Sequence, residues 1–193
     1  MSLWHAIVPF RARAKTRLAE RLDAPARAAL AETMAQHVLE TPGRCPLIGS
    51  IAVLAPVRPA FAPESTGWIN DEGRWLNAEL AAAFAEARRT SVVHADLPLL
   101  SADDIAALID AASEAGAAIA RDHARTGTNA LALIDATALQ PAFGPSSFAL
   151  HRALLPHAAV VERPGLALDI DTPADLDHAI AAGMLMPAIA SPI

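Results

Sequence analysis

Cysteine is nearly missing from this chain. Cys45 is the only one in 193 residues, so no disulfide can close within the chain and no cysteine-built zinc site can form. It lies in GRCPLIG with no base near it in sequence, which makes it a poor candidate nucleophile. Long apolar runs are missing too. None reaches the roughly 20 residues that cross a bilayer. The apolar part of MSLWHAIVPFRARAK is too short for a signal peptide, and its charges follow the apolar part. A soluble, cytoplasmic protein with no membrane partner is expected. Positive charge is outweighed: 15 lysines and arginines against 21 acids leave a formal net charge of -6. That argues against a nucleic-acid partner, though a local basic patch could still bind a small anion. What the chain has in quantity is apolar, with 53% hydrophobic residues, many of them alanine, against 19% charged. Such a composition folds around a core, and the length suits a single domain over residues 1–193.

Apolar runs alternate with amphipathic ones. Strands are expected at residues 4–8, stopped by Pro9, and at 50–54, 91–95, 117–120, 131–134, 160–161 and 166–168. Between them, Asp23-Ala24-Pro25 reads as a helix start, with proline in the first turn. That helix should run to about Glu40 and bury Leu30, Met34 and Val38 at helical spacing. Further helices are expected over 77–89, from Ser101 towards Gly116, over 148–157, and from Thr172. The proline-rich stretch 56–75 reads as a long loop with a short strand at 67–70. Apolar strands alternating with helices predict an α/β fold with a mainly parallel sheet flanked by helices. Ligands of such sheets sit beyond the carboxyl ends of the strands.

The candidate chemistry falls at those ends. In LALDIDTPADL, Asp169 and Asp171 are two apart, so on extended backbone both carboxylates face one side while Ile170 faces the other. Two such acids repel unless a cation lies between them, and magnesium suits carboxylate and phosphate oxygens. Asp96 ends a different run, VVHAD; if the ends are neighbours, three carboxylates converge. Turn or cap chemistry also accounts for each acid taken singly. The Asp-x-Asp of haloacid-dehalogenase-type phosphatases opens its domain, whereas here only about 20 residues follow, so that reading fails on position.

RARAKTR, residues 11–17, directly follows the first strand. Its cations can cradle phosphate, but it holds no glycine and is not a Walker loop; a solvated basic turn is the alternative. TGTN and FGPSS look like loops of close approach, where glycine admits a ligand to the backbone and hydroxyls add donors. No histidine pair has metal-ligand spacing, and structural roles are expected for His94 and His151.

IVPF…AKTRL, HADLPLL, GTNAL, FGPSSFALH and LALDIDTPADL, in that order, resemble the CofC/FbiD-type guanylyltransferases of coenzyme F-420 biosynthesis. The resemblance spans nearly the whole chain. It implies a Rossmann-like nucleotidyltransferase fold of the glycosyltransferase-A type. It also implies transfer of GMP from GTP to 2-phospho-L-lactate, phosphoenolpyruvate or 3-phospho-D-glycerate, with pyrophosphate released. Carried over motif by motif, Mg2+ falls to Asp96, Asp169 and Asp171, and the phospho-acid to Thr128, Gly144 and Ser147. Lys15 faces phosphates, with Arg11 and Arg17 beside it, and Asn77 falls near the nucleotide base. Family members are often dimers, which leaves a homodimer open. The chain departs from the family pattern at Arg11, Trp75, Arg125 and Ser146, around the acceptor and base pockets. Two alternatives stand beside this reading. Another nucleotidyltransferase, of the molybdopterin or sugar-phosphate type, would need the glycine-rich first loop that is missing here. A non-catalytic nucleotide-binding protein could share the fold.

Overall fold

The computed structural model describes residues 3–11, 15–85, 87–137 and 139–184. Its centre is one seven-stranded sheet in the order β3-β2-β1-β4-β6-β5-β7. The strands are β1 (Trp4–Pro9), β2 (Ile48–Ala55), β3 (Gly67–Asn70), β4 (Arg88–Val93), β5 (Ala117–Arg121), β6 (Thr128–Asp135) and β7 (Ala159–Val161). The helices are α1 (Ala24–Glu40), α2 (Leu76–Phe84), α3 (Ala102–Ala115), α4 (Ser147–Leu154), α5 (Pro164–Ala167) and α6 (Pro173–Ala181). Among the described residues no helix is long and apolar enough to cross a membrane.

Only β6 runs against its neighbours, β4 and β5. The carboxyl ends of the other strands therefore share one edge with the amino end of β6, where Thr128 begins. From β1 the chain first builds outward through β2 and β3, then returns to lay β4 on the other flank of β1. The crossovers diverge between β1 and β4, and at such a point in an open α/β sheet the strand ends leave a crevice for ligand.

Apolar helix faces close the sheet on both sides. Leu30, Met34 and Val38 of α1 are buried, as their spacing predicts. Leu30 and Met34 share a cluster with Leu168, Ile170 and Leu176. Helix boundaries follow their capping chemistry. The Asp23 carboxylate accepts from Ala26 N at 2.8 Å. Ser101 with Asp104, and Thr172 with Asp175, form reciprocal boxes. Gly116 closes α3 at φ 85°, a left-handed turn that glycine adopts without a Cβ penalty.

Two sequence expectations give way. The helix expected over 77–89 stops at Phe84, and Arg88 and Arg89 enter β4. Alanine favours helix there, but pairing of Arg88 with Asp135 in the sheet register and burial of Thr90 outweigh local propensity. The strand expected at 166–168 is instead the end of the short helix α5 and its exit. Pro164 sits in its first turn, where a missing N–H costs nothing. The carbonyls of Leu166 and Ala167 are taken up by the Asn129 side chain, both at 3.1 Å, rather than by a neighbouring strand. Asp169 and Asp171 therefore sit on an extended connection between α5 and α6, not on a strand tip. Alternation still holds: Ile170 is fully buried while both acids face the edge.

Candidate active site

Lys15, Asp96, Asp169 and Asp171 meet at the crevice between β1 and β4. Asp96 lies three residues past β4, and Ile170 N donates to Asp96 O at 3.3 Å, which pins the acid pair against the β4 exit. One carboxylate oxygen from each of the three acids falls within 4.8 Å of the other two. Asp96 Oδ1 is buried and has no hydrogen-bond partner. A buried acceptor left unpaired is costly, and a cation would satisfy it. The donors are all oxygen, the set that suits magnesium. The residues fit a divalent ion on these grounds.

The ammonium of Lys15 lies 2.7 Å from Asp96 Oδ2 and 2.9 Å from Asp171 Oδ1. Burial alone would lower the Lys15 pKa, but the charges of Asp96 and Asp171 outweigh it and hold the pKa above its ordinary value. Burial likewise pushes Asp96 up, and Lys15, with His94 nearby, brings its carboxyl below the usual range. Asp169 goes the other way: burial, then the charge of Asp96, raise it, against a hydrogen bond from Asn129. Arg17 stands further out, with Nη1 3.8 Å from Asp171 Oδ2.

Arg11 does not stand free at the edge. Its guanidinium forks onto Asp71 and also donates to Arg74 O. Arg74 in turn pairs with buried Glu79 at 2.8 Å. Arg11 thus ties the turn before α2 to the end of β1. Asn77 is also engaged: its amide donates to Phe143 O at 3.0 Å and accepts from Phe143 N at 2.8 Å. It holds the FGPSS turn before α4 by its backbone. In that loop Gly144 has φ 125°, and no atom lies within 4 Å of where its Cβ would stand, so the position faces open space.

Thr128 and Ser147 are buried and joined, with Thr128 N donating to Ser147 Oγ at 2.9 Å. His151, fully buried, accepts from Ala142 N through Nε2 at 3.0 Å, so its neutral ring carries the proton on Nδ1 and donates to Thr128 Oγ1 at 2.9 Å. The structural role expected for His151 is this tie between α4, β6 and the glycine loop.

Two contributors escaped the sequence reading. Asn129, the last residue of TGTN, also donates to Asp169 Oδ1 at 3.2 Å, so β6 sets the position of an acid 40 residues away. His123 Nε2 lies 3.2 Å from Asp175 Oδ1 and Nδ1 lies 4.0 Å from Asp169 Oδ1. Asn129 could have been read from its place in the motif. His123 carries no local signal.

His151 makes a pH prediction. Burial, with the charge of His94, lowers its pKa from 6.5 to about 4. Between those values the unfolded chain binds the proton and the folded chain does not, so stability is full above pH 6.5 and is lost as pH falls towards 4. At 1.36 kcal/mol per unit, the loss is about 3 kcal/mol. Chemical unfolding at pH 7 and pH 4, compared between wild type and His151→Gln, should show that much less acid sensitivity in the variant. Equal sensitivity would refute the assignment.

Solved structures place the fold. A protein provisionally assigned as a nucleotide-diphospho-sugar transferase, from Desulfovibrio desulfuricans G20, superposes with TM-score 0.73 at 15% identity, covering 92% of this chain and 86% of that one. A 4-diphosphocytidyl-2C-methyl-D-erythritol synthase does so with TM-score 0.63 at 15% identity, covering 92% and 98%. At that identity the likeness defines the structural class, an α/β sheet of the fold these transferases share. Within that class residues 4–185 match the family described as guanylyl transferase CofC like, and the chain belongs to it. A phosphoenolpyruvate guanylyltransferase from Nocardia farcinica is 37% identical, over 93% of this chain and 86% of its own length. One from Sphaerobacter thermophilus is 37% identical over 90% of each. The chain is thus an enzyme, a guanylyltransferase.

Proposed function

We propose that the chain transfers GMP from GTP to the phosphate of a small phosphorylated carboxylic acid and releases pyrophosphate, as a step in making coenzyme F-420. Of 2-phospho-L-lactate, 3-phospho-D-glycerate and phosphoenolpyruvate, the last is the acceptor we favour, because relatives at 37% identity are named for it. The observation that carries the reading is the convergence of Asp96, Asp169 and Asp171 where the crossovers diverge, with a buried Asp96 oxygen left unpaired.

An oxygen of the acceptor phosphate attacks the α-phosphorus. The new P–O bond forms as the bond to the α–β bridging oxygen breaks, and that electron pair leaves with pyrophosphate. The attacking oxygen is already anionic, so no general base is required, and the work left is positioning and charge neutralisation. Asp96, Asp169 and Asp171 would hold magnesium, which neutralises phosphate charge and brings two anionic reactants together. Lys15 and Arg17 face the triphosphate and stabilise the leaving pyrophosphate. Arg11 acts with them, and through Asp71 it ties the turn before α2 to the β1 end. Thr128, Gly144 and Ser147 build the acceptor side, and Asn77 steadies it from the nucleotide side.

A panel of the three acids with GTP and magnesium tests this. Phosphoenolpyruvate should give acid-dependent pyrophosphate release, and ATP in place of GTP should give far less. GTP binding with no release for any of the acids would overturn the reading in favour of a nucleotide-binding protein without this activity.

A further inference from the structure

Lys15 is the only lysine in the chain, among fifteen lysines and arginines. It sits where a cation is needed most. Its ammonium bridges Asp96 and Asp171, residues 81 and 156 positions away in sequence, and its side chain is only 13% exposed. The oxygens it takes belong to the acids that converge within 4.8 Å.

We infer that Lys15 is the resident counter-cation of the acid triad, and that it exchanges with the divalent ion. The inference rests on the reading of the triad as a cation site and adds an order of events to it. A compact ammonium on a flexible four-carbon stem can leave the carboxylates without moving the backbone, which a forked guanidinium locked onto both oxygens would resist. Ammonium and divalent ion are like charges competing for the same carboxylates, so both cannot be held there tightly. Without nucleotide, Lys15 keeps the three acids from repelling one another and weakens metal binding. With nucleotide, the displaced ammonium gains the triphosphate as its new partner. Metal therefore binds well only together with GTP, and the group that stabilises the leaving pyrophosphate is in place only once metal has arrived.

Two measurements test the exchange with Mn2+ as the probe. The first follows acylation of the single ε-amine by mass spectrometry at constant pH. Labelling should be slow in metal-free protein, rise about tenfold with saturating Mn2+ alone, and fall again when GTP joins Mn2+. The second is Mn2+ affinity by electron paramagnetic resonance without nucleotide, where Lys15→Met should bind about tenfold more tightly than wild type. Should Lys15→Met fail to fold without metal, Lys15→Gln and the wild-type labelling still decide. Bound Mn2+ with unchanged labelling, or equal or weaker Mn2+ affinity in the variants, overturns the exchange alone. No Mn2+ binding to wild type, with or without GTP, overturns the cation reading as well.

Discussion

Asp171→Asn should fold normally and lose about a thousandfold in turnover, some 4 kcal/mol of transition-state stabilisation. The Asp171 side chain is 49% exposed, so an isosteric amide meets no packing obstacle. The lost ion pair with Lys15 is a partly exposed one, worth at most about 1 kcal/mol. In a chain of this size that shifts the thermal midpoint by only about 2–4 °C. On the proposed metal role, the amide would remove one of three negative ligands, and with it charge needed to hold a divalent ion against phosphates. Steady-state pyrophosphate release beside thermal unfolding separates the two effects. Turnover near wild type in a folded Asp171→Asn would show that the triad does not carry the reaction. Asp96→Asn should lose as much activity, and more stability, because Asp96 Oδ1 is buried and Oδ2 holds Lys15.

Gly165→Ala should cost about 3 kcal/mol, a fall of roughly 6–12 °C in thermal midpoint. A Cβ there would overlap Asp104 Oδ2 and stand 2.5 Å from Leu99 O. The carboxylate cannot step aside cheaply. It accepts from Ser101 N at 3.0 Å and Ser101 Oγ at 2.6 Å as the cap of α3, and it pairs with Arg163 Nε at 2.8 Å. Moving it breaks a buried, charge-assisted network, and moving α5 instead shifts the connection that carries Asp169 and Asp171. Calorimetry checks the result. A midpoint within about 2 °C of wild type would mean that the contact at Gly165 relaxes without cost.

The acid triad shows why sequence alone went as far as it did. Alternation around Ile170 put Asp169 and Asp171 on one side, and that local rule holds on any extended backbone. It survived even though the residues before it coil into α5. The strand expected there failed because Leu166 and Ala167 surrender their carbonyls to Asn129, a partner that no window around residue 166 contains. The over-long second helix failed for the same kind of reason: sheet pairing of Arg88 with Asp135 is non-local. Arg11 and Asn77, expected at ligands, also tie loops of the protein together, Arg11 through Asp71 and Asn77 through Phe143. Those partners lie 60 or more residues away, so no local motif announces them.

Local chemistry was thus written in the sequence: the capping boxes at Ser101 and Thr172, the buried stripe of α1, the two acids facing one way, and the ordered motifs that mark the family. Such features depend on residues within one or two turns of each other, where backbone geometry is nearly constant. The tertiary structure alone decided that β6 runs antiparallel, that Asn129 reaches Asp169, and that the chain's one lysine lies between Asp96 and Asp171. Those outcomes depend on which strands become neighbours, a choice settled by burial over the whole sheet rather than by any segment of it.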